Sequence, residues 1–299
     1  MKQTRFPPLS VPLSSQGPSG NGLHFASAVD RFHREAQPGE FHTGRYRMNY
    51  YIWGQGPPLV FVHGASDTGR SFAFTISQLT SSFRCIAYDL PGRPGDASSL
   101  GRYRHEDLVS DLFALLDHLR LPVAFVLGSS FGGTIVLRAM GRDPQRFPRG
   151  ILQGALVHRP LRRTEWWLTW LARLLPGPMT QMPRREKMLR IVHGEPFVGR
   201  AEEWWRAYVD WTGESRISTL GRQGQLLHRL DLRPELPSIH QPVLLVAGDR
   251  DYVAPLEHSE MIRHRLPHGQ LVVLNGCGHV PSYTHPEQFA DVIRAFLTG

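Results

Sequence analysis

Cysteine is nearly absent: the 299 residues hold two, Cys85 inside an apolar run and Cys277 in a Gly-rich turn. With no CxxC pair and no even framework, neither a disulfide-stapled small fold nor a cysteine-histidine zinc site organises this chain. Lysine is equally scarce, with two. The basic residues are nearly all Arg and are spread between acidic ones, so the net charge of +8 reads as a solvated surface, and no nucleic-acid partner is expected. No uninterrupted apolar run is long enough to span a bilayer, and the first twenty residues carry Pro7, Pro8, Pro12 and Pro18 where a signal peptide would have its apolar stretch. HExxH, a Walker loop and a GxGxxG after a strand are also missing. The expectation is a cytoplasmic protein acting on a small molecule, with no metal, no cofactor and no stable membrane insertion. Its oligomeric state is left open.

What is present suits a globular domain: 41% of residues are apolar and 10% aromatic. The length fits one domain with an insertion or two small ones. Residues 1–43 are rich in Pro, Ser and Gly up to about residue 40, and read as a partly disordered extension. Arg45 to Trp53 predicts an early strand or hairpin arm, closed by turn formers at 54–58. Short continuous apolar runs follow at Leu59 to Val62, Cys85 to Tyr88, Val123 to Leu127, Ile151 to Leu152, Val243 to Ala247 and Leu271 to Leu274. Continuous rather than alternating runs are what a parallel sheet needs when both faces are covered.

Between them, Leu108, Leu112, Leu115, Leu116 and Leu119 recur at helical spacing, as do Phe289, Val292, Ile293 and Phe296. Pro286 suits the first turn of that last helix. Alternating strand and helix predicts a doubly wound α/β sheet. Residues 159–236 break the rhythm: no strand-like run appears, and six of the seven tryptophans gather there. Trp204, Tyr208 and Trp211 share one helix face; Trp167, Trp170, Leu171 and Leu174 share another. A helical insertion packed over the sheet is expected, with core residues 44–158 and 237–299 around it. Its aromatics serve equally well as the insertion's own core or as a substrate lining, with Trp167, Trp170 and Trp204 as the candidates.

The chemistry centres on Gly128-Ser129-Ser130-Phe131-Gly132, which follows one apolar strand and precedes an apolar helix, Thr134 to Met140. This is GxSxG in the strand, turn and helix setting that a nucleophile elbow requires. The turn is sharp enough that side chains two positions either side of the serine would collide with neighbouring backbone. A serine hydroxyl also needs a base within reach and a carboxylate to hold that base's tautomer. Downstream, one strand leads into Gly248-Asp249-Arg250-Asp251 and the last into Asn275-Gly276-Cys277-Gly278-His279, both at the carboxyl end of the sheet, where open α/β sheets bind ligands.

From about residue 44 onward the chain resembles the α/β-hydrolase family, and most closely its small capped esterases and carbon-carbon bond hydrolases. The resemblance implies Asp251, the second aspartate of its GDxD turn, as the acid and His279 as the base, with Asp249 supporting the turn. His63-Gly64 and Asp89-Leu90-Pro91-Gly92 match the family too. By the same resemblance Ala65 and Phe131 donate backbone N–H groups to an oxyanion, Ser66 shapes the pocket, and His63 positions the oxyanion loop. The implied fold is a mostly parallel α/β-hydrolase sheet with a helical cap.

The expected activity is hydrolysis of a small to medium carboxylic ester through a Ser130-His279-Asp251 triad and an acyl-enzyme. Two alternatives stay open at this point: carbon-carbon bond hydrolysis or perhydrolysis with the same triad, and a non-catalytic ligand-binding protein on the same fold.

Overall fold

A computed structural model describes residues 25–92, 103–198, 200 and 202–299. Eight strands form one sheet in the order β1-β2-β4-β3-β5-β6-β7-β8. They are β1 (Gln37–His42), β2 (Arg47–Trp53), β3 (Pro58–Val62), β4 (Arg84–Tyr88), β5 (Phe125–Ser129), β6 (Gly150–Gln153), β7 (Val243–Gly248) and β8 (Gly269–Leu274). β1 and β2 pair antiparallel and so do β2 and β4, while every pair from β4 across to β8 is parallel. Every predicted strand is present.

The two faces of the sheet explain why the apolar runs do not alternate with polar residues. Val60, Val62, Ile86, Val126 and Leu245 enter one apolar cluster, and their sequence neighbours Leu59, Phe61, Ala87, Leu127 and Leu244 enter another. Side chains alternate in direction along a strand, but both directions are dry here. On the first face lie α3 (His105–His118), through Leu108, Leu112, Leu115 and Leu116, α4 (Phe131–Arg142), and α9 (Leu256–Arg265), through Ile262. On the second lie α2 (Ala73–Ser77), through Ala73 and Ile76, and, after the short α10 (Pro281–Thr284), α11 (Pro286–Thr298), through Phe289, Val292, Ile293 and Phe296, with Pro286 in its first turn. The chain visits β3, moves to β4 on one side, then returns to β5 on the other. That reversal opens a crevice at the carboxyl ends of β3 and β5.

One expectation needs correction. Residues 25–42, assigned to the N-terminal extension, belong to the fold: α1 (Phe25–Glu35) buries Ala28 and Phe32, and β1 is an edge strand. Glu35 accepts a hydrogen bond from Trp53 Nε1 at 3.0 Å and a second from Arg31, tying α1 to β2. The apolar stripe of α1 is only two turns long, and β1 carries Pro38 and Gly39, so neither period stands out in the sequence. Pro is tolerated there because an edge strand has a free side. The remainder of the expected extension, residues 1–24, lies outside the described residues.

Between β6 and β7 the chain forms α5 (Arg163–Ala172), α6 (Arg185–His193), α7 (Glu202–Trp211) and α8 (Ile217–Arg229). A bridge between His158 and Asp231 pinches the base of this helical insertion. Its α8 rests on the loops after β3 and β4: Ser66 N donates to Gln223 Oε1 at 2.9 Å, and Thr219 Oγ1 donates to Gly92 O at 3.1 Å. α7 packs Trp204, Trp205 and Tyr208 with Phe74 and Tyr283 in a third apolar cluster.

Candidate active site

Ser130 sits between β5 and α4 with φ 49° and ψ −114°, a backbone conformation that side-chain-bearing residues rarely adopt. Such a conformation costs about 1–3 kcal/mol and persists only where the surroundings enforce it. Ser130 N donates to Gln153 O at 2.8 Å, and Gly133 N donates to Ser130 O at 2.9 Å, holding the turn from both sides. The flanking glycines are sterically required. A Cβ on Gly132 would run into Val62 O and lie 2.6 Å from His63 O, and one on Gly128 would lie 2.6 Å from Gly133 Cα.

The other two expected residues meet across the ends of β7 and β8. His279 Nδ1 lies 2.8 Å from Asp251 Oδ2, with the Asp251 side chain fully buried and that of His279 10% exposed. Asp251 Oδ1 accepts backbone N–H bonds from Val253 at 2.9 Å and Ala254 at 2.8 Å. Burial by itself pushes the Asp251 carboxyl up. The bond and charge of His279, with the two backbone donors, outweigh it and hold the group below the usual carboxylate range. An ionised Asp251 requires the proton on His279 Nδ1, which leaves Nε2 as the basic nitrogen. No hydrogen bond joins Nε2 to Ser130 Oγ among the described residues, a separation common before substrate binds. Asp249 forms no hydrogen bond or ion pair with His279; its N–H bonds to Leu274 O at 3.2 Å in the turn after β7.

His63 behaves as expected of a structural residue. Leu90 N donates to His63 Nε2 at 2.9 Å, so the ring proton is on Nδ1, which donates to Gly64 O at 2.8 Å. That pair of bonds fastens the loop carrying Ala65 and Ser66. Ser66 is buried at φ 58°, and its Oγ has no partner among the described residues. Phe131 is the first residue of α4, so its N–H is one of the four that an α-helix leaves without an internal partner.

Three residues here carry no signal that sequence reasoning used. Gln153 is buried; its Nε2 donates to His279 O at 2.6 Å and its Oε1 accepts from Ser129 Oγ, bridging the elbow and the histidine loop. Gly154, at φ 54°, faces the pair directly: a Cβ there would lie 2.8 Å from both Cε1 and Nδ1 of His279 and 3.4 Å from Asp251 Oδ2. His193, the last residue of α6, stacks over His279 with ring centroids 6.1 Å apart. Enclosure, and then the charge of His279, push the His193 imidazole down to about 4, so it is neutral near pH 7; its buried Nδ1 has no partner among the described residues.

The tryptophans expected to line the pocket are placed otherwise. Trp167 and Trp170 are 58% and 44% exposed. Trp204 is buried, with its ring 4.4 Å from that of Phe74 and 5.7 Å from that of Phe25. Among the described residues no group of three or more metal-ligating side chains gathers, and no helix is long and apolar enough to cross a membrane.

Known proteins resemble this chain in sequence and in fold. A pimeloyl-(acyl-carrier protein) methyl ester esterase of Nitrosomonas europaea is 29% identical over 254 residues, covering 81% of this chain and 96% of the relative. A hydrolase from Pseudomonas aeruginosa superposes with a TM-score of 0.78 at 24% identity, covering 88% of this chain and 99% of that one. A thermophilic esterase from Thermogutta terrifontis gives the same TM-score at 21% identity, with 88% and 98% covered. The family model described as "Alpha/beta hydrolase family" matches residues 59–292, which span every strand from β4 to β8 and all three expected catalytic residues. By that match, by the strand order and by the elbow at Ser130, the chain belongs to the alpha/beta hydrolase family.

Proposed function

We propose that this protein is a serine esterase with Ser130 as nucleophile, His279 as general base and Asp251 as the group that orients and balances the histidine. The observation that carries the reading is the buried Asp251–His279 pair at the ends of β7 and β8, set beside the strained Ser130 turn at the end of β5. In the first step Ser130 Oγ adds to the ester carbonyl while His279 Nε2 takes its proton. The tetrahedral oxyanion accepts the N–H groups of Ala65 and Phe131, and collapse expels the alcohol, protonated by His279. Water, activated by the same nitrogen, then releases the acid from Ser130.

The helical insertion serves as the cap. Through Gln223 on Ser66 and His193 over His279 it reaches both walls of the site. Ser66 Oγ and His193 Nδ1, buried polar atoms without partners among the described residues, support a role for these two side chains in bonding a substrate's polar atoms. A carboxylic ester is the substrate class best supported, since relatives that match 81% and 84% of this chain are named as methyl ester esterases.

The test is hydrolysis of a panel of methyl and nitrophenyl esters. The wild type turns over at least one of them, and Ser130→Ala loses about 10⁴-fold or more in kcat with an unchanged circular dichroism spectrum. Wild-type rates in purified Ser130→Ala would remove Ser130 from the mechanism.

A further inference from the structure

We propose that the outer face of α5 is a docking surface for an anionic phospholipid bilayer. An amphipathic helix ordinarily buries its apolar stripe, but α5 has no buried residue at all. The reason lies in its partner, α8, which meets it with glycines. A Cβ on Gly221 would lie 2.9 Å from Arg173 N, and one on Gly224 would lie 2.7 Å from Thr169 Cγ2. α5 is therefore seated by its Thr169, Ala172 and Arg173 side, where Arg173 also donates to Gln225 Oε1 at 2.9 Å. The opposite face, carrying Trp167, Leu168, Trp170, Leu171, Leu174 and Leu175, points to solvent, with Leu168 and Leu174 64% and 63% exposed. Six large apolar side chains on and just beyond one helix form a patch of the kind that marks an interaction surface.

Charge identifies the occupant. Residues 159–176 and 217–229, which hold α5 and α8, contain six arginines (159, 162, 163, 173, 222 and 229) and one acid, Glu165, a net of +5 out of +8 for the chain. Leu161 N donates to His228 Nδ1 at 2.9 Å, bringing the start of α5, with Arg162 and Arg163, to the end of α8, with Arg229. Two such faces repel one another, which disfavours a second copy of this chain. Tryptophan and leucine on one helix side with arginine at its end is the composition of a helix lying in the headgroup layer, rings at the acyl boundary and guanidinium groups at the phosphates.

The proposal is tested on the full chain by sedimentation with vesicles of phosphatidylcholine alone or mixed with phosphatidylglycerol. The protein sediments with the mixed vesicles and its tryptophan emission shifts to the blue. Binding weakens with salt as the Debye length falls from about 10 Å at 0.1 M to about 3 Å at 1 M. Replacing Arg162, Arg163 and Arg229 together by Gln weakens it about a hundredfold. The triple change Leu168→Ser, Leu171→Ser, Leu174→Ser weakens it at least tenfold, and both variants keep wild-type hydrolysis of a soluble ester. No binding to mixed vesicles, or equal binding by wild type and both variants, would overturn the proposal. So would a dimer in ultracentrifugation that the leucine variant abolishes while vesicles stay unbound, which gives the face to a second copy. Retention on soluble polyglutamate without vesicle binding would overturn it in favour of an acidic protein.

Discussion

Gly154 stands so close to His279 that a single methyl group on it would lie 2.8 Å from both Cε1 and Nδ1 of the imidazole. β6 ends at Gln153, and the backbone turns at Gly154 with φ 54°, pinned by its N–H bond to Val246 O at 3.1 Å. The pair of His279 and Asp251 thus has a wall made of backbone. Gly154→Ala should push the imidazole away from the line between Asp251 and Ser130, lowering kcat about a hundredfold, the loss expected for a displacement near 1 Å. The same change places alanine in the left-handed region, at about 1 kcal/mol in stability. Steady-state kinetics and urea unfolding read the two effects separately. Wild-type kcat in this variant would mean that the histidine has room the structure does not give it.

Gln153 offers a second handle on the same geometry. It is buried and bonded on one side to Ser129 Oγ and on the other to His279 O. Gln153→Leu keeps the bulk and leaves both groups without their partner, a cost of about 1–3 kcal/mol in unfolding free energy. Because one freed group belongs to the histidine itself, kcat should fall along with stability. Unchanged urea midpoints and rates would show the bridge to be dispensable.

How much of this was legible in the sequence depends on how local each feature is. The elbow at Ser130 is legible because its constraints act between consecutive residues: Gly128 and Gly132 are needed by the same turn that exposes the serine. Asp251 and His279 sit in turns directly after apolar strands, so position along the chain locates the turns, while the choice of these two residues came from the resemblance to the family. Gln153, Gly154 and His193 acquire their roles from contacts with the His279 loop, far off in the chain, and nothing in their own neighbourhood distinguishes them. The tryptophans teach a related lesson. Periodicity correctly grouped Trp167, Trp170, Leu171 and Leu174 on one face, but the side that packs against the fold, Thr169 and Arg173, was decided by Gly221 and Gly224 on another helix. The short stripe of α1 failed to register for the opposite reason: Phe25, Ala28 and Phe32 are too few to stand out beside a Pro-, Ser- and Gly-rich stretch.

Asp67, next to Ser66 in the loop after β3, gives the fold a measurable pH signature. Enclosure pushes its carboxyl up to about 6, against hydrogen bonds from Ser71 Oγ and Thr68 N. The folded protein therefore holds this proton more tightly than the unfolded chain, in which an aspartate titrates near about 4. Its contribution to stability is complete below about pH 4 and is lost as the pH rises through about 6. Asp67→Asn cannot lose that proton and should gain on the wild type by about 2 kcal/mol between about pH 4 and pH 7. Urea midpoints measured across that range check it; a difference independent of pH would contradict the assignment.

Whether Ser130, His279 and Asp251 work as one assembled site is decided by labelling the intact protein with a fluorophosphonate and locating the adduct by mass spectrometry. Rapid modification is expected at Ser130, slowed about a thousandfold or more in His279→Ala and markedly in Asp251→Asn, because the serine then lacks its base or the base its tautomer. Modification elsewhere, or equal labelling rates in all three proteins, would contradict it.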